Sequence, residues 1–357
     1  MNSWNEGVLT EVVGRLTPVP LDERTAILSG PIGNENHRGH FDRLPALRQI
    51  EQAGAPRRQG IEGAARVVFW NVERLRHIDA ITETLKGLNP DVTLLCEIDR
   101  GMARTHNADP IVDLAARLDQ SYLYALEFVE LGLGDLNEQR DHAGELNAEG
   151  FHGAAVLSAV EMQQPFLIRL DGRGKWFDGA FNERRVGGTI ALGAKIDVGG
   201  TPVTMVSVHL ESHCDPETRA ADMRSMLQRI DSFAAGEPVI LGGDFNSSTT
   251  SPDQRRDRPA YQALIDSDPS RLTAPEPFEP LFRVAEDYGF DWHTSNVMGV
   301  PTQRFVAGTD RRNHKLDWFF TRGLAASEAA IIPALRDDGS PSSDHECLAV
   351  TIRPASA

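Results

Sequence analysis

The sequence predicts an α/β protein of two packed β-sheets with helices on the outside. Short apolar runs alternate with stretches of helical periodicity from Arg66 to the end of the chain. Both halves mix pairs of strand-like runs with helices, so each half holds enough strands for a sheet of its own. Polar residues of four types (Asn, Asp, Glu and His) recur at the ends of runs that otherwise read as buried.

Taken in order, residues 1 to 62 read as an N-terminal extension closed by a linker. They hold one short amphipathic helix candidate, then "SGPIGNENHRGHFDR" and "QAGAPRRQGIEG", rich in Gly, Pro, Asn and Arg. Residues 63 to 357 read as the main domain. "RVVFWNV" is a strand, "IDAITETLKGL" a helix, "DVTLLCEI" a second buried strand, "PIVDLAARLD" a helix and "SYLYALEFVEL" a strand. The polar stretch "GDLNEQRDHAGELNAEG" is long enough to suggest function beyond connection. "GAAVLSA", "GGTIALGAKIDV" and "TPVTMVSVHL" are consecutive strands, and apolar recurrence at three and four makes Pro216 to Phe233 a helix. The strand "PVILGGDFN", a loop with Arg255, Arg256 and Arg258, short helices, "KLDWFFT", "EAAIIPA" and a last strand "CLAVTIRP" complete the chain.

Composition narrows the class. Of 357 residues, 40% are hydrophobic and 25% charged, which fits a globular domain and not a disordered chain. No apolar run is long enough to span a bilayer, and the start "MNSWNEGVLTEVV" lacks the pattern of a signal peptide, so the expected compartment is the cytoplasm. Cys96, Cys214 and Cys347 are odd in number and far apart, which indicates neither a disulfide framework nor a zinc site. The net charge of −16 argues against a protein that lives on nonspecific duplex binding, because that needs a basic face.

The chemistry is concentrated at strand ends. Asn71 and Glu73 end the first strand in "FWNVER", Glu97 the second in "LLCEID", and His209 ends "MVSVHL". Asp244 and Asn246 end "VILGGDFN", Asp317 sits in "KLDWFF", and Asp344 and His345 precede the last strand in "SSDHECLAV". Alternation sends Asp244 and Asn246 to one side of the strand and Phe245 to the other. Any one of these has an ordinary explanation. His209 can bond a carbonyl, and Asp317 can be a buried ion-pair partner. Together they put nine polar residues, at the ends or edges of six strand-like runs, where one rim of a sheet would gather them.

The order of these motifs resembles the endonuclease/exonuclease/phosphatase superfamily, which includes abasic-site endonucleases, pancreatic-type deoxyribonuclease, neutral sphingomyelinases and inositol-polyphosphate 5-phosphatases. "GGDFN" and the final "SDH" carry most of the likeness, which covers about residues 65 to 354. The resemblance implies a four-layer α/β sandwich of two packed, mainly antiparallel β-sheets flanked by helices. It also implies a Mg²⁺- or Mn²⁺-dependent phosphoesterase. In that reading Glu97 is the principal metal ligand, helped by Asn71, Glu73 and Asp344. Asp244 orients or deprotonates the attacking water, Asn246 binds a phosphate oxygen, and His345 contacts the phosphate. Asp317 orients His345, and His209 stands near the leaving group. Such residues suit phosphoryl transfer, which needs an in-line water and neutralised oxygens more than covalent help.

Two departures from the family pattern stand out. Many members carry an Asn in a "GNAILS"-like strand where this chain has Ala154 in "GAAVLS". No tyrosine among Tyr122, Tyr124, Tyr261 and Tyr288 sits where the abasic-site endonucleases use one. Candidate substrate contacts are Arg104 and Asn107 in "RGMARTHN" and Arg185 in "DGRGKWFDGAFNERR", with "GTDRRNHK" as a further basic stretch. Solvated loops are the alternative for all of them. The expected partner is a phosphoester, small or lipid-like by the acidic charge, or DNA by family history and the basic loops. A monomer is expected. A non-catalytic relative is the alternative of another class, and the retained Glu97, Asp244 and His345 count against it.

Overall fold

The computed structural model describes residues 7–170, 174–179, 182–304 and 313–355. The chain runs through β1 (Glu11–Val13), α1 (Leu21–Ser29), α2 (Asn34–Arg43), β2 (Gln49–Ala53), β3 (Gly60–Ile61), β4 (Ala65–Arg74), α3 (Ile78–Leu88) and β5 (Val92–Arg100). It continues with α4 (Pro110–Leu118), β6 (Ser121–Glu130), α5 (Leu136–Asp141), β7 (Phe151–Ser158), β8 (Gln163–Arg169), β9 (Arg185–Gly187), β10 (Ile190–Val198) and β11 (Thr201–His209). The remainder is α6 (Pro216–Phe233), β12 (Val239–Asp244), α7 (Pro252–Arg256), α8 (Arg258–Ser267), α9 (Pro280–Asp287), β13 (Asp317–Arg322), β14 (Leu324–Ile332) and β15 (Cys347–Pro354).

Two mixed sheets result. One has the order β1-β2-β6-β7-β5-β4-β15-β14, with β9 beside β6. The other has the order β13-β12-β11-β10-β3, with β8 beside β10. Antiparallel pairs predominate, and β4–β5 and β11–β12 are parallel. The inner faces close on each other through Phe69, Leu94 and Val156 from the first sheet and Leu192, Ile240 and Phe319 from the second. Ile81, Leu85, Ile111 and Leu114 of α3 and α4 cover the outer face of the first sheet. Met223, Leu227 and Ile230 of α6 and Leu281 and Ala285 of α9 cover the second. The layers are therefore helix, sheet, sheet, helix, as the apolar patterning requires.

The helices follow their sequence signals. Pro216 opens α6 behind an Asp215 cap that accepts from Thr218 N, and the left-handed Asn89 closes α3. The polar stretch after β6 contains α5, begun by a reciprocal capping box between Asp135 and Glu138. In the first 62 residues, β2 pairs antiparallel with β6 and β1 pairs parallel with β2, extending the first sheet. Ile27 and Phe41 from α1 and α2 join its core. No helix among the described residues is long and apolar enough to cross a membrane.

One buried ion pair fastens the loops that follow β11 and β12. Arg219 on α6 donates to both Glu279 oxygens (3.1 and 2.6 Å) and to Cys214 O, while Glu279 also accepts from Thr249 N. Both side chains are fully buried, and burial pushes the Glu279 carboxyl upward even with Arg219 beside it. Arg219→Ala strands that carboxylate and should lower stability by about 3–5 kcal/mol, read as a fall in the urea midpoint. The paired change Arg219→Met with Glu279→Leu should recover most of the loss. A single variant as stable as the parent would contradict this account.

Candidate active site

The second sheet sets three polar residues in one row at the ends of three neighbouring strands, β11, β12 and the edge strand β13. His209 on β11 is the register partner of Asp244 on β12, and Asp244 is the partner of Asp317 on β13. The two glycines before Asp244 are needed for packing. A Cβ on Gly242 would lie 2.8 Å from the Phe319 ring and 2.9 Å from Leu94, and one on Gly243 2.6 Å from Val208 O. Beyond Asp244 the chain turns through Asn246 at φ 48°. Asp244 Oδ1 accepts from Asn246 N, and Asn246 Nδ2 donates to Leu210 O.

The first sheet brings its polar residues to the same place by breaking its ladders. The β4–β5 register shifts between Asn71 and Arg74, where Glu73, Arg74 and Leu75 are left-handed in succession (φ 42°, 68° and 55°). The β5–β7 register shifts between Leu95 and Ile98 around a left-handed Glu97 (φ 57°). Bulges of this kind re-aim side chains at a sheet rim, and left-handed non-glycine residues concentrate where structure serves function. The loop before β15 is tied to β4. Trp70 Nε1 donates to His345 O, and Ser343 Oγ donates to Asn71 O.

These devices assemble a cleft of about 920 Å³. Glu73, Glu97, His209, Asp244, Asn246, Asp344 and His345 line it. Asn71 and Asp317 stand behind them in direct contact. Asn71 Nδ2 bridges Glu97 (2.9 Å) and Asp244 (3.1 Å), and its Oδ1 accepts from Glu73 N. Asp317 Oδ2 is 2.8 Å from His345 Nδ1, and His345 Nε2 is 3.7 Å from Asp244. Of the proposed substrate contacts, Arg104 and Arg185 line the cleft. Asn107 does not reach it, because its amide is spent on Leu146 O and Ala148 N. Arg173 and residues 308–312 of the basic stretches lie outside the described residues.

The electrostatics show groups that compensate one another out of water. Burial works against a charged His345 ring, but Asp317 and Asp244 outweigh it and hold its pKa well above the ordinary imidazole range. Burial, with Asp317 nearby, pushes Asp244 up to about 6. His209 rises to about 10 because Glu127, hydrogen-bonded to Nδ1 at 3.1 Å, overcomes its desolvation. Glu97 falls to about 2, since His209, His152 and the Asn71 hydrogen bond outweigh its burial. Glu127 is buried and was not among the sequence candidates; its one signal is a carboxylate flanked on both sides by apolar residues in "YLYALEFV".

The donor set fits a hard divalent cation. Glu73 is pushed up by burial and then by Asp344 and Glu97, a repulsion that a cation among these carboxylates would relieve. Ligand-type atoms of Glu97, His209 and Asp244 lie within 4.8 Å of one another, as do those of Asp244, Asp317 and His345. The second group is already closed by the hydrogen bond from His345 to Asp317. The first group is therefore the one left open to a cation, with Glu73 and Asp344 also lining the cleft.

Comparison with known proteins identifies the fold and the family. An endonuclease/exonuclease/phosphatase from Beutenbergia cavernae is 17% identical with a TM-score of 0.53, the match covering 83% of this chain and 72% of that one. The catalytic domain of human Nocturnin, solved with a bound sulfate anion, is 16% identical with a TM-score of 0.51 over 87% of this chain and 98% of that one. A Bacteroides vulgatus endonuclease/exonuclease/phosphatase is 16% identical with a TM-score of 0.51 over 82% and 99%. These likenesses carry the fold. No curated protein sequence matches significantly. Residues 68–345, from within β4 to the last histidine of the cleft, match the Endonuclease/Exonuclease/phosphatase family, whose members hydrolyse phosphoester bonds. The chain is a hydrolase of that family.

Proposed function

We propose that the protein hydrolyses a phosphodiester or phosphomonoester by in-line attack of water, with Mg²⁺ or Mn²⁺ as its cofactor. The supporting observation is the convergence of Glu97, Asp244 and His345 on one cleft from the bulge in β5, the end of β12 and the loop before β15. Asp244, raised toward neutrality, is poised to take a proton from water. His345, kept charged and fixed through Nδ1 by Asp317, faces that carboxylate and offers Nε2 to a phosphoryl oxygen. Asn246 keeps a second amide hydrogen for the same purpose. His209, oriented by Glu127, stands ready to protonate or stabilise the departing oxygen. A bound divalent cation supplies charge neutralisation at the phosphoryl and leaving oxygens.

A small or lipid-like phosphoester is favoured by how three of the five arginines lining the cleft are spent on carboxylates, while Arg255 is held by Ser248, Thr250 and Ser212 instead. Arg104 pairs with Asp99 and Glu138, Arg74 with Glu138, and Arg185 with Glu130 and Glu183. Guanidinium groups already neutralised inside the protein grip a long polyanion poorly, and the net charge of −16 adds to that.

With Mg²⁺ or Mn²⁺, the protein should turn over bis(p-nitrophenyl) phosphate or p-nitrophenyl phosphate, phosphoinositides or sphingomyelin. His345→Ala should lower kcat by roughly 10²–10⁴-fold. Turnover of these esters that His345→Ala leaves untouched would sink the assignment. Plasmid or abasic-site DNA cleavage whose affinity falls steeply with salt would move the substrate to nucleic acid.

Metal binding has a test that needs no turnover. Chelator-stripped protein should gain about 2.7 kcal/mol of stability at a Mg²⁺ concentration 100 times Kd, seen as a rise in Tm. Glu97→Gln should lose most of that rise. A Tm blind to Mg²⁺ and Mn²⁺ in the parent protein would count against the site.

A further inference from the structure

Besides His209 and His345 the cleft is lined by His152, His213 and His314, to which the hydrolysis above gives no task, and His152 is the most firmly held inside it. His152 on β7 is 5% exposed and lines the cleft. Its Nδ1 is 2.7 Å from Asp99 Oδ1. Its ring stacks on Phe128 with centroids 4.7 Å apart and planes 18° apart, and Phe128 also carries the Arg185 guanidinium at 4.1 Å. One edge and one face of the ring are thus fixed. The Nε2 edge makes no hydrogen bond among the described residues, and Nε2 is not among the buried atoms that lack a partner.

Pairing with Asp99 does not account for this residue. Asp99 is already gripped by Arg104, Nε to Oδ2 at 2.8 Å and Nη2 to Oδ1 at 2.9 Å, and Arg104 is itself tied to Glu138 at 3.0 Å. Such a two-point fork satisfies a buried carboxylate. Asp99 needs little from His152, whereas His152 gains a fixed orientation from Asp99. Strand alternation adds a second observation. His152 and Ala154 are two residues apart on β7, so they share a face. Ala154, at the position where an amide was expected, is sealed in the core between the sheets. His152 stands one step nearer the rim, in the cleft.

We propose that His152 Nε2 hydrogen-bonds a phosphoryl oxygen of the substrate, a contact that Ala154 cannot make. This deepens the phosphoesterase reading and rests on it. In the complex the ring carries both protons, Nδ1–H donating to Asp99 and Nε2–H to the phosphoryl oxygen. Asp99, Arg104 and Glu138 are positioning residues that act through His152.

The probe is inorganic phosphate with Mg²⁺ present, followed by NMR of the histidine Cε1–H signals. The His152 signal, identified by its contacts with the Phe128 ring and its loss in His152→Gln, should shift with phosphate. His152→Gln should bind phosphate at least ~10-fold more weakly, the loss expected of one hydrogen bond to a charged group. Asp99→Asn keeps the imidazole but loosens its aim, and should fall between the two. Urea midpoints of both variants separate a lost contact from a lost fold, and the wild-type signal decides the matter if a variant fails to fold. A His152 signal that ignores phosphate, or equal phosphate affinity in wild type and His152→Gln, overturns the proposal. The two readings fail separately. Phosphate binding that depends on His152 without turnover of any ester would refute hydrolysis and keep the contact. Ester turnover with kcat/KM and phosphate affinity unchanged in His152→Gln would do the reverse.

Discussion

In the second sheet His209, Asp244 and Asp317 stand side by side because β11, β12 and β13 pair with those residues opposite one another. A slip of one residue in either ladder would send a polar group to the far face and break the row. The packing that forbids the slip is ordinary. Leu241 and Phe320 are partners in the same ladder, and Gly242 and Gly243 admit Phe319 and the Val208 backbone where no Cβ fits. The chemistry of the cleft is therefore held by apolar contacts behind it, and the first sheet has only to deliver Glu97 and the loop of His345 to a row already built.

That delivery relies on irregular backbone. Regular strands would leave Asn71, Glu73 and Glu97 at positions set by the pleat, but the shifted registers and left-handed residues aim them at the rim. The strain is repaid by hydrogen bonds to the turned segments, among them those donated by Asn71 Nδ2 to Glu97 and by Asp344 N to Glu73. The result is an uneven distribution of charge. Carboxylates crowd the side of Glu73 and Asp344, while three imidazoles are each held through Nδ1 by a buried carboxylate: His345 by Asp317, His209 by Glu127 and His152 by Asp99. Out of water such pairs keep their geometry without a solvent cage to reorganise.

The first 62 residues illustrate how little local composition says of strand pairing. Their composition reads as an extension closed by a linker, and within it Gln49–Ala53 lies beside β6 and carries Glu51, which binds Arg100, Tyr122 and the Leu16 amide. A five-residue strand with three polar positions has no periodic signature. Its place in the sheet comes from partners on β6, Tyr122 to Tyr124, far along the chain.

The sequence by itself determined the fold class and the identity of most polar strand ends, because both rest on local facts. Helices such as Ile78–Leu88 and Pro216–Phe233 carry their period and their caps within themselves, and buried strands announce themselves by unbroken apolar runs. Glu97, Asp244 and His345 were visible because a charged group at the end of such a run is conspicuous. Only tertiary structure decided which groups work together. Glu127 and His152 sit inside strands among apolar residues, and nothing in "YLYALEFVE" or "GFHGAAVLS" tells that their side chains meet His209 and Asp99. Asn107 looked as suitable as Arg104 until the backbone of Leu146 and Ala148 claimed its amide. Pairing across long stretches of chain depends on register, bulges and the approach of two sheets, and those are properties of the packed whole.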